Sequence, residues 1–216
     1  MAFREKLAKR ARKAGLSPSQ DVIFGLEAYF AILGKWNEKV SLTSLPVAEA
    51  GEEAIDRLLI EPLLAAKYLP SGTPLVIDIG SGGGSPAVPL KVAAPGIAMV
   101  MVESKTRKAA FLREVVRQLG LDRTSVAAAR FEALVARPDV AGSADVVTLR
   151  AVRVEQKTLA ALQRLMKPGG AILLFGTRAG AIEAETRLPG SELKWEGTHS
   201  LLPHLNSTLV VFRRTV

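Results

Sequence analysis

The sequence predicts an α/β fold: a doubly wound, mostly parallel sheet with a terminal antiparallel hairpin, preceded by a helical extension. Three observations predict it. From about residue 71 onward, short apolar runs alternate with helical segments, the pattern of successive βαβ units. The first run, Leu75-Val76-Ile77-Asp78-Ile79, opens directly into the glycine-rich segment Gly80-Ser81-Gly82-Gly83-Gly84-Ser85. Before that point, apolar residues recur at helical spacing instead.

Residues 1–70 therefore read as an N-terminal helical, basic extension. Leu16-Ser17-Pro18-Ser19-Gln20 offers a cap, after which Val22, Ile23, Leu26, Tyr29, Phe30 and Leu33 form one apolar stripe. The spacing predicts a further helix over about Ala48–Tyr68, bent or restarted near Pro62. Ser71-Gly72-Thr73-Pro74 marks the boundary with a second unit over 71–216. There, Leu75–Ile79, Ala98–Val102, Ala144–Leu149 and Ala171–Phe175 read as buried strands. Helices are expected over Thr106–Leu119 and Arg153–Met166, the second stopped by Lys167-Pro168-Gly169-Gly170. Extended segments near Leu193–Thr198 and Thr208–Arg213 supply the hairpin. Strand, glycine turn and helix in this order give a Rossmann-like unit.

Composition narrows the function. The 216 residues contain no cysteine, which excludes a disulfide scaffold, a zinc-thiolate site and a thiolate nucleophile. No apolar stretch is long enough to span a bilayer and no signal-peptide pattern opens the chain, so a cytoplasmic protein is expected. The sequence gives no reason to propose a metal. A net charge of +8 favours a polyanionic partner. Much of the excess lies in residues 1–15, where Arg4, Lys6, Lys9, Arg10, Arg12 and Lys13 face Glu5 alone. Arg10, Arg12 and Lys13 are candidates for contacts to nucleic-acid phosphates, with a solvated helix face as the other reading. Arg107 and Lys108 are read in the same two ways.

The glycine segment is the strongest chemical signal. Its glycines allow a sharp turn and close approach of a ligand to the backbone, and a helix N-terminus follows at Pro86 with amides able to hold an anion. Glu103 ends the second strand, 19 residues beyond Gly84, where an acid accepts hydrogen bonds from ribose hydroxyls. Two cofactors satisfy this pattern. Asp78, placed to face an amino-acid ammonium, and the two prolines Pro86 and Pro89 in the first helical turn favour S-adenosylmethionine. Gly82-Gly83-Gly84-Ser85-Pro86-Ala87 can also be read as the GxGxxA of a nicotinamide dinucleotide site.

At these residues the chain resembles the RsmG (GidB) family, which methylates N7 of a guanine in small-subunit (16S) ribosomal RNA. Trp36-Asn37 with Leu42-Thr43-Ser44 is similar to the family's WN…NLTS signature, and Asp78–Pro86 to its DVGSGxGFPG loop. Glu103-Ser104, Arg107-Lys108 and Phe111-Leu112 resemble its (D/E)S…KR…FL block. Arg130-Phe131-Glu132 resembles the segment framing the adenine, and Arg150-Ala151 its SRA turn. The resemblance implies a class I methyltransferase sheet, S-adenosylmethionine as cofactor, and small-subunit RNA or the 30S particle as partner. It implies cofactor contacts at Gly80, Ser85, Phe131, Glu132 and Arg150, with Glu103 on the ribose; Asp78, Gly82 and Gly84 belong to the same loop. Departures occur at Ser41, at Leu58, Glu61 and Pro62 within the family's RHxxDS motif, at Ser85 and Ala87 in the loop, and at Phe175 before Gly176.

Chemistry agrees with the implied reaction. Guanine N7 carries a lone pair and no proton, so attack on a sulfonium methyl needs no general base, and alignment supplies the catalysis. The lack of cysteine argues against carbon-5 pyrimidine methylation. Thr148-Leu149-Arg150-Ala151 stands where base amino-group methyltransferases carry (N/D)PP(Y/F). Arg150, at a strand's C-terminal end, is the candidate catalytic residue, positioning base or cofactor; pairing with a neighbouring acid is its alternative role. Trp36 reads as core of the helical cap or as a base-stacking platform. A cofactor-binding, RNA-associated protein with weakened catalysis, motivated by the changes at Ser41, Leu58 and Phe175, and a nicotinamide oxidoreductase are the competing functions.

Overall fold

A computed structural model describes residues 2–150, 155–177, 180 and 192–215. Helices α1 (Phe3–Lys13) and α2 (Gln20–Asn37) open the chain. Ser19 caps α2 by accepting from the Val22 amide, with Pro18 standing before the cap and outside the first turn. The expected helix over Ala48–Tyr68 begins later and is segmented. It comprises α3 (Glu52–Ile55), a π-helical turn at Asp56–Ile60, α4 (Glu61–Ala65) and a 3-10 turn at Ala66–Tyr68.

The second part alternates β1 (Leu75–Ile79), α5 (Ala87–Ala93), β2 (Ala98–Val102), α6 (Thr106–Leu119), β3 (Thr124–Ala127), α7 (Phe131–Val135), β4 (Ala144–Arg150), α8 (Gln156–Gln163) and β5 (Met166–Thr177). The hairpin of β6 (Leu193–Leu202) and β7 (Ser207–Arg214) closes the sheet. Strand order is β3-β2-β1-β4-β5-β7-β6, parallel except around β7. The topological switch lies between β1 and β4, so ligands are expected outside their carboxyl ends.

Three details differ from the sequence reading. β3 carried no recognisable signal because it is a four-residue edge strand without a fully buried side chain. Lys167-Pro168-Gly169-Gly170 does not follow a helix ending at Met166; it lies inside β5. The register shift between Ala144 and Val146 absorbs the extra residues there. The expected helix start at Arg153 lies outside the described residues.

Alternation along the strands sorts the core into two layers. Val76, Met99, Met101, Val146 and Leu173 point to the face covered by α1, α2, α5 and α6. Ile77, Val102, Val147, Leu149 and Ile172 point to the face covered by α7 and α8. The N-terminal helices share the first layer with the sheet: Leu7, Leu26, Tyr29 and Leu33 are fully buried among strand residues. The change in pattern at residue 71 is thus a change of secondary structure within one continuous core.

Candidate functional site

The ends of β1 and β2 are tied together by backbone. Gly80 and Ser81 amides donate to the Val102 carbonyl at 2.9 and 3.0 Å. The buried Glu103 carboxylate then accepts from the Gly82 amide at 3.0 Å and from the Lys105 amide at 2.8 Å. Both oxygens keep a free lone pair, and the carboxylate is fixed before any ligand arrives. Glu103 lines a groove of about 250 Å³ with Gly80, Ser104, Phe131 and Glu132 among its other walls. The structure therefore brings together four of the predicted cofactor residues, Gly80, Glu103, Phe131 and Glu132, from β1, β2 and α7.

The same hydrogen bonds weigh against the nicotinamide alternative. With Gly80, Ser81 and Gly82 amides taken, and Gly84 donating to the Ser81 carbonyl at 2.6 Å, the loop does not offer the row of free amides that a pyrophosphate requires. The last glycines instead make room for the helical extension. A Cβ on Gly84 would meet Val88, Tyr29 and Leu112 at 3.1–3.4 Å, and one on Gly83 would meet the Leu42 carbonyl at 3.3 Å. Tyr29 donates its hydroxyl to the Gly83 carbonyl at 2.6 Å. Gly84 is thus a packing glycine, buried under α2. Ser85 also turns from the groove and donates to the Leu58 carbonyl at 2.8 Å.

A second polar centre lies at the C-terminal ends of β1 and β4. Asp78 is in register with Thr148, whose hydroxyl donates to Asp78 Oδ1 at 2.6 Å. Burial pushes the Asp78 carboxyl up to about 6, against the opposing pull of its hydrogen bonds and of the Arg150 charge. Arg150 pairs with the buried Glu61 of α4 at 2.6 Å and stacks over the Phe175 ring, 4.8 Å from its centroid. Phe175 is its neighbour in register on β5. Four buried atoms here have no hydrogen-bond partner: Asp78 Oδ2, Glu61 Oε1, and Arg150 Nε and Nη2. Orphaned buried polar groups are costly, so their gathering at the topological switch marks a place built for a polar ligand. Glu61, absent from the predicted site residues, was visible only as a departure from a motif.

The predicted RNA contacts divide. Arg10 is 7% exposed; its Nε donates to Asp56 Oδ1 at 2.8 Å and its Nη1 meets Glu52 at 2.6 Å. Arg10 is therefore a clasp between α1 and the 52–68 segment, with its guanidinium withdrawn from solvent. Arg4 pairs with Glu27, and Lys6 donates to the Ala50 carbonyl. Arg12, Lys13 and Arg107 are exposed, and Lys108 is half-buried.

Residues 23–198 match the family described as "GidB: rRNA small subunit methyltransferase G". The chain belongs to this family. A ribosomal RNA small subunit methyltransferase G from Stenotrophomonas maltophilia is 37% identical over 171 residues, covering 77% of this chain and 72% of its own. Solved structures share the fold at lower identity. A SAM-dependent methyltransferase from Aquifex aeolicus superposes with a TM-score of 0.62 at 14% identity, covering 76% of this chain and 93% of its own. The [4+2]-cyclase SpnF superposes at 0.60 with 16% identity, covering 93% and 97%. One fold thus carries methyl transfer and cyclisation, and the GidB membership, with the site residues, makes this chain an S-adenosylmethionine-dependent methyltransferase. Two GidB motifs acquire physical meaning here. Asn37 accepts from the Leu42 and Thr43 amides at 2.9 and 3.0 Å, which joins WN to LTS. Trp36 packs edge-on against Phe111 of the FL pair, with centroids 5.8 Å apart.

Proposed function

We propose that the chain transfers a methyl group from S-adenosylmethionine to N7 of a guanine in 16S ribosomal RNA, presented as RNA or as the 30S particle in the cytoplasm. The observation that carries the reading is the combination of an oriented Glu103 at the groove with orphaned charged atoms at Asp78 and Arg150. A ligand bearing a ribose diol, an ammonium and a carboxylate fits that set of groups. A dinucleotide fits it less well, because the Gly80, Ser81, Gly82 and Gly84 amides are already taken. When bound, S-adenosylmethionine supplies an electrophilic sulfonium methyl.

The protein's part is orientation. Glu103 accepts from the ribose hydroxyls, Asp78 accepts from the ammonium, and Gly80, Phe131 and Glu132 wall the adenosine end of the groove. Arg150, held by Glu61 and supported by Phe175, presents its remaining N–H groups to the carboxylate or to the base. Because N7 needs no deprotonation, the site requires no general base, only near-attack alignment.

The test is transfer of labelled methyl groups to small-subunit particles and naked RNA from cells lacking the enzyme. Sites are mapped by cleavage chemistry specific for N7-methylguanine. A single labelled guanine supports the reading; label on another base or at another atom refutes it.

A further inference from the structure

We propose that a pocket formed by Lys35, Trp36, Lys39, Val40 and Arg107 is a docking site for an unpaired nucleotide of the RNA substrate, with the base on Trp36 and its phosphates among the three cations. The proposal rests on the reading of the chain as an RNA methyltransferase and adds a contact that this reading does not require.

The pocket has a volume of about 490 Å³ and lies between the C-terminal end of α2 and the first turn of α6. That volume is in the range of small-molecule sites. Its floor is apolar and aromatic, from Trp36 and Val40, and none of its described lining residues is acidic. Trp36 is half-buried and anchored by its edge-on contact with Phe111, so the ring is held without being enclosed. Lys35, Lys39 and Arg107 form no ion pair among the described residues. In contrast, Arg4, Arg10, Arg57, Arg117 and Arg137 are all paired.

An independent observation points to an anion. Arg107 and Lys108 stand in the first turn of α6 after the N-cap Lys105, with no acid in that turn. Cations there oppose the helix dipole and weaken the helix. The chain keeps three of them where stability favours Asp or Glu. A bound phosphate resolves the conflict. Aromatic face, apolar wall and cationic rim together are the chemistry of single-stranded nucleic-acid sites, in which bases stack and the backbone follows the positive charge. A duplex keeps its bases stacked on one another and cannot use the tryptophan face.

Position relates the pocket to the reaction. Arg107 lies four residues beyond Glu103 on the same loop-helix junction. Asn37, next to Trp36, anchors the Leu42-Thr43 turn, and Leu42 lies against Gly83 of the glycine loop. A nucleotide in this pocket would sit on the α2–α6 side of the same sheet edge as the cofactor groove.

The experiment uses the full chain with Trp195→Phe, leaving Trp36 as the single tryptophan. Its fluorescence is followed on titration with a short mixed-sequence single-stranded oligoribonucleotide, the matching duplex, and an acidic peptide of equal charge. The proposal expects quenching by the single strand, and little by duplex or peptide. The triple substitution K35A/K39A/R107A is expected to weaken single-strand binding by about tenfold or more and to lower the slope of log affinity against log salt by about 2. Its affinity for S-adenosylmethionine is expected to be unchanged. Trp36→Ala risks the packing against Phe111, so the exposed cations carry the decisive variant. Equal affinity and salt slope for wild type and triple variant overturn the proposal, as does equal quenching by duplex or peptide. Methyl transfer by wild type is scored in parallel. Transfer without a pocket effect sinks the pocket alone, and a pocket effect without transfer to small-subunit RNA sinks the proposed reaction alone.

Discussion

Asp78 shows how one residue links burial to ligand chemistry. Its ordinary carboxylate value is raised to about 6 by burial, so the folded protein holds a proton that the unfolded chain releases. The stabilising effect of that proton is complete below the ordinary value and is lost as pH rises through 6. An ammonium ligand prefers the ionised carboxylate. Calorimetric affinity for S-adenosylmethionine should therefore be about tenfold weaker at pH 5 than at pH 7, and Asp78→Asn should flatten that profile. Arg150 is tested through its partner. Removing it alone leaves the buried Glu61 with only the longer Arg57 contact at 3.7 Å, so Arg150→Met is placed in a Glu61→Gln background. The double variant is expected to fold and to lose about 100-fold in turnover, the scale of a lost oriented donor. Normal single-turnover rates would show that the pair is only structural.

At the scale of elements, the π-helical turn and the glycine loop explain two departures as one. Pro62 has no amide with which to bond the carbonyl four residues earlier, that of Leu58. The Ser85 hydroxyl donates to that carbonyl instead, at 2.8 Å. A proline in one motif and a serine in another, unrelated in sequence, thus meet in space. Ser85→Ala should lower stability by about 1–2 kcal/mol in denaturant titrations, as expected for a part-buried acceptor left without a donor. Adding Pro62→Ser restores an amide and should recover most of the loss. Strict additivity of the two changes would refute the coupling. On that reading the pair at Pro62 and Ser85 is a packing adjustment.

Across the whole molecule, the basic N-terminus is less an arm than a fastened layer. Asp56 is 1% exposed and holds both Arg10 and His204 Nε2, the latter at 2.8 Å, so α1, the 52–68 segment and the β6–β7 connection meet at one carboxylate. Asp56→Ala leaves the buried Arg10 guanidinium with only the exposed Glu52 as a carboxylate partner and should cost about 3 kcal/mol, read as a shift in unfolding midpoint. Lys13→Ala, on the exposed end of α1, should stay within about 0.5 kcal/mol. Among the described residues, no helix is long and apolar enough to cross a membrane. Arg12, Lys13 and the cations around Trp36 are among those left on the surface and available to a polyanion.

Local signals were sufficient for the alternating strands, the glycine turn and the acid at Glu103, because each rests on residues close in sequence whose period or spacing is set by backbone geometry. The motifs also carried the family. Local signals failed for β3, a short edge strand with no buried stripe, and for Lys167–Gly170, where a register shift within the sheet overrides proline and glycine as breakers. They also could not show the partners of Gly84, Ser85 and Arg10 within the fold. Their partners, Tyr29 and Leu112, Leu58, and Asp56, are remote in sequence. Glycine, serine and arginine suit a ligand site and a packing joint equally well. Only the tertiary structure, by showing which neighbour already occupies each group, decided between the two.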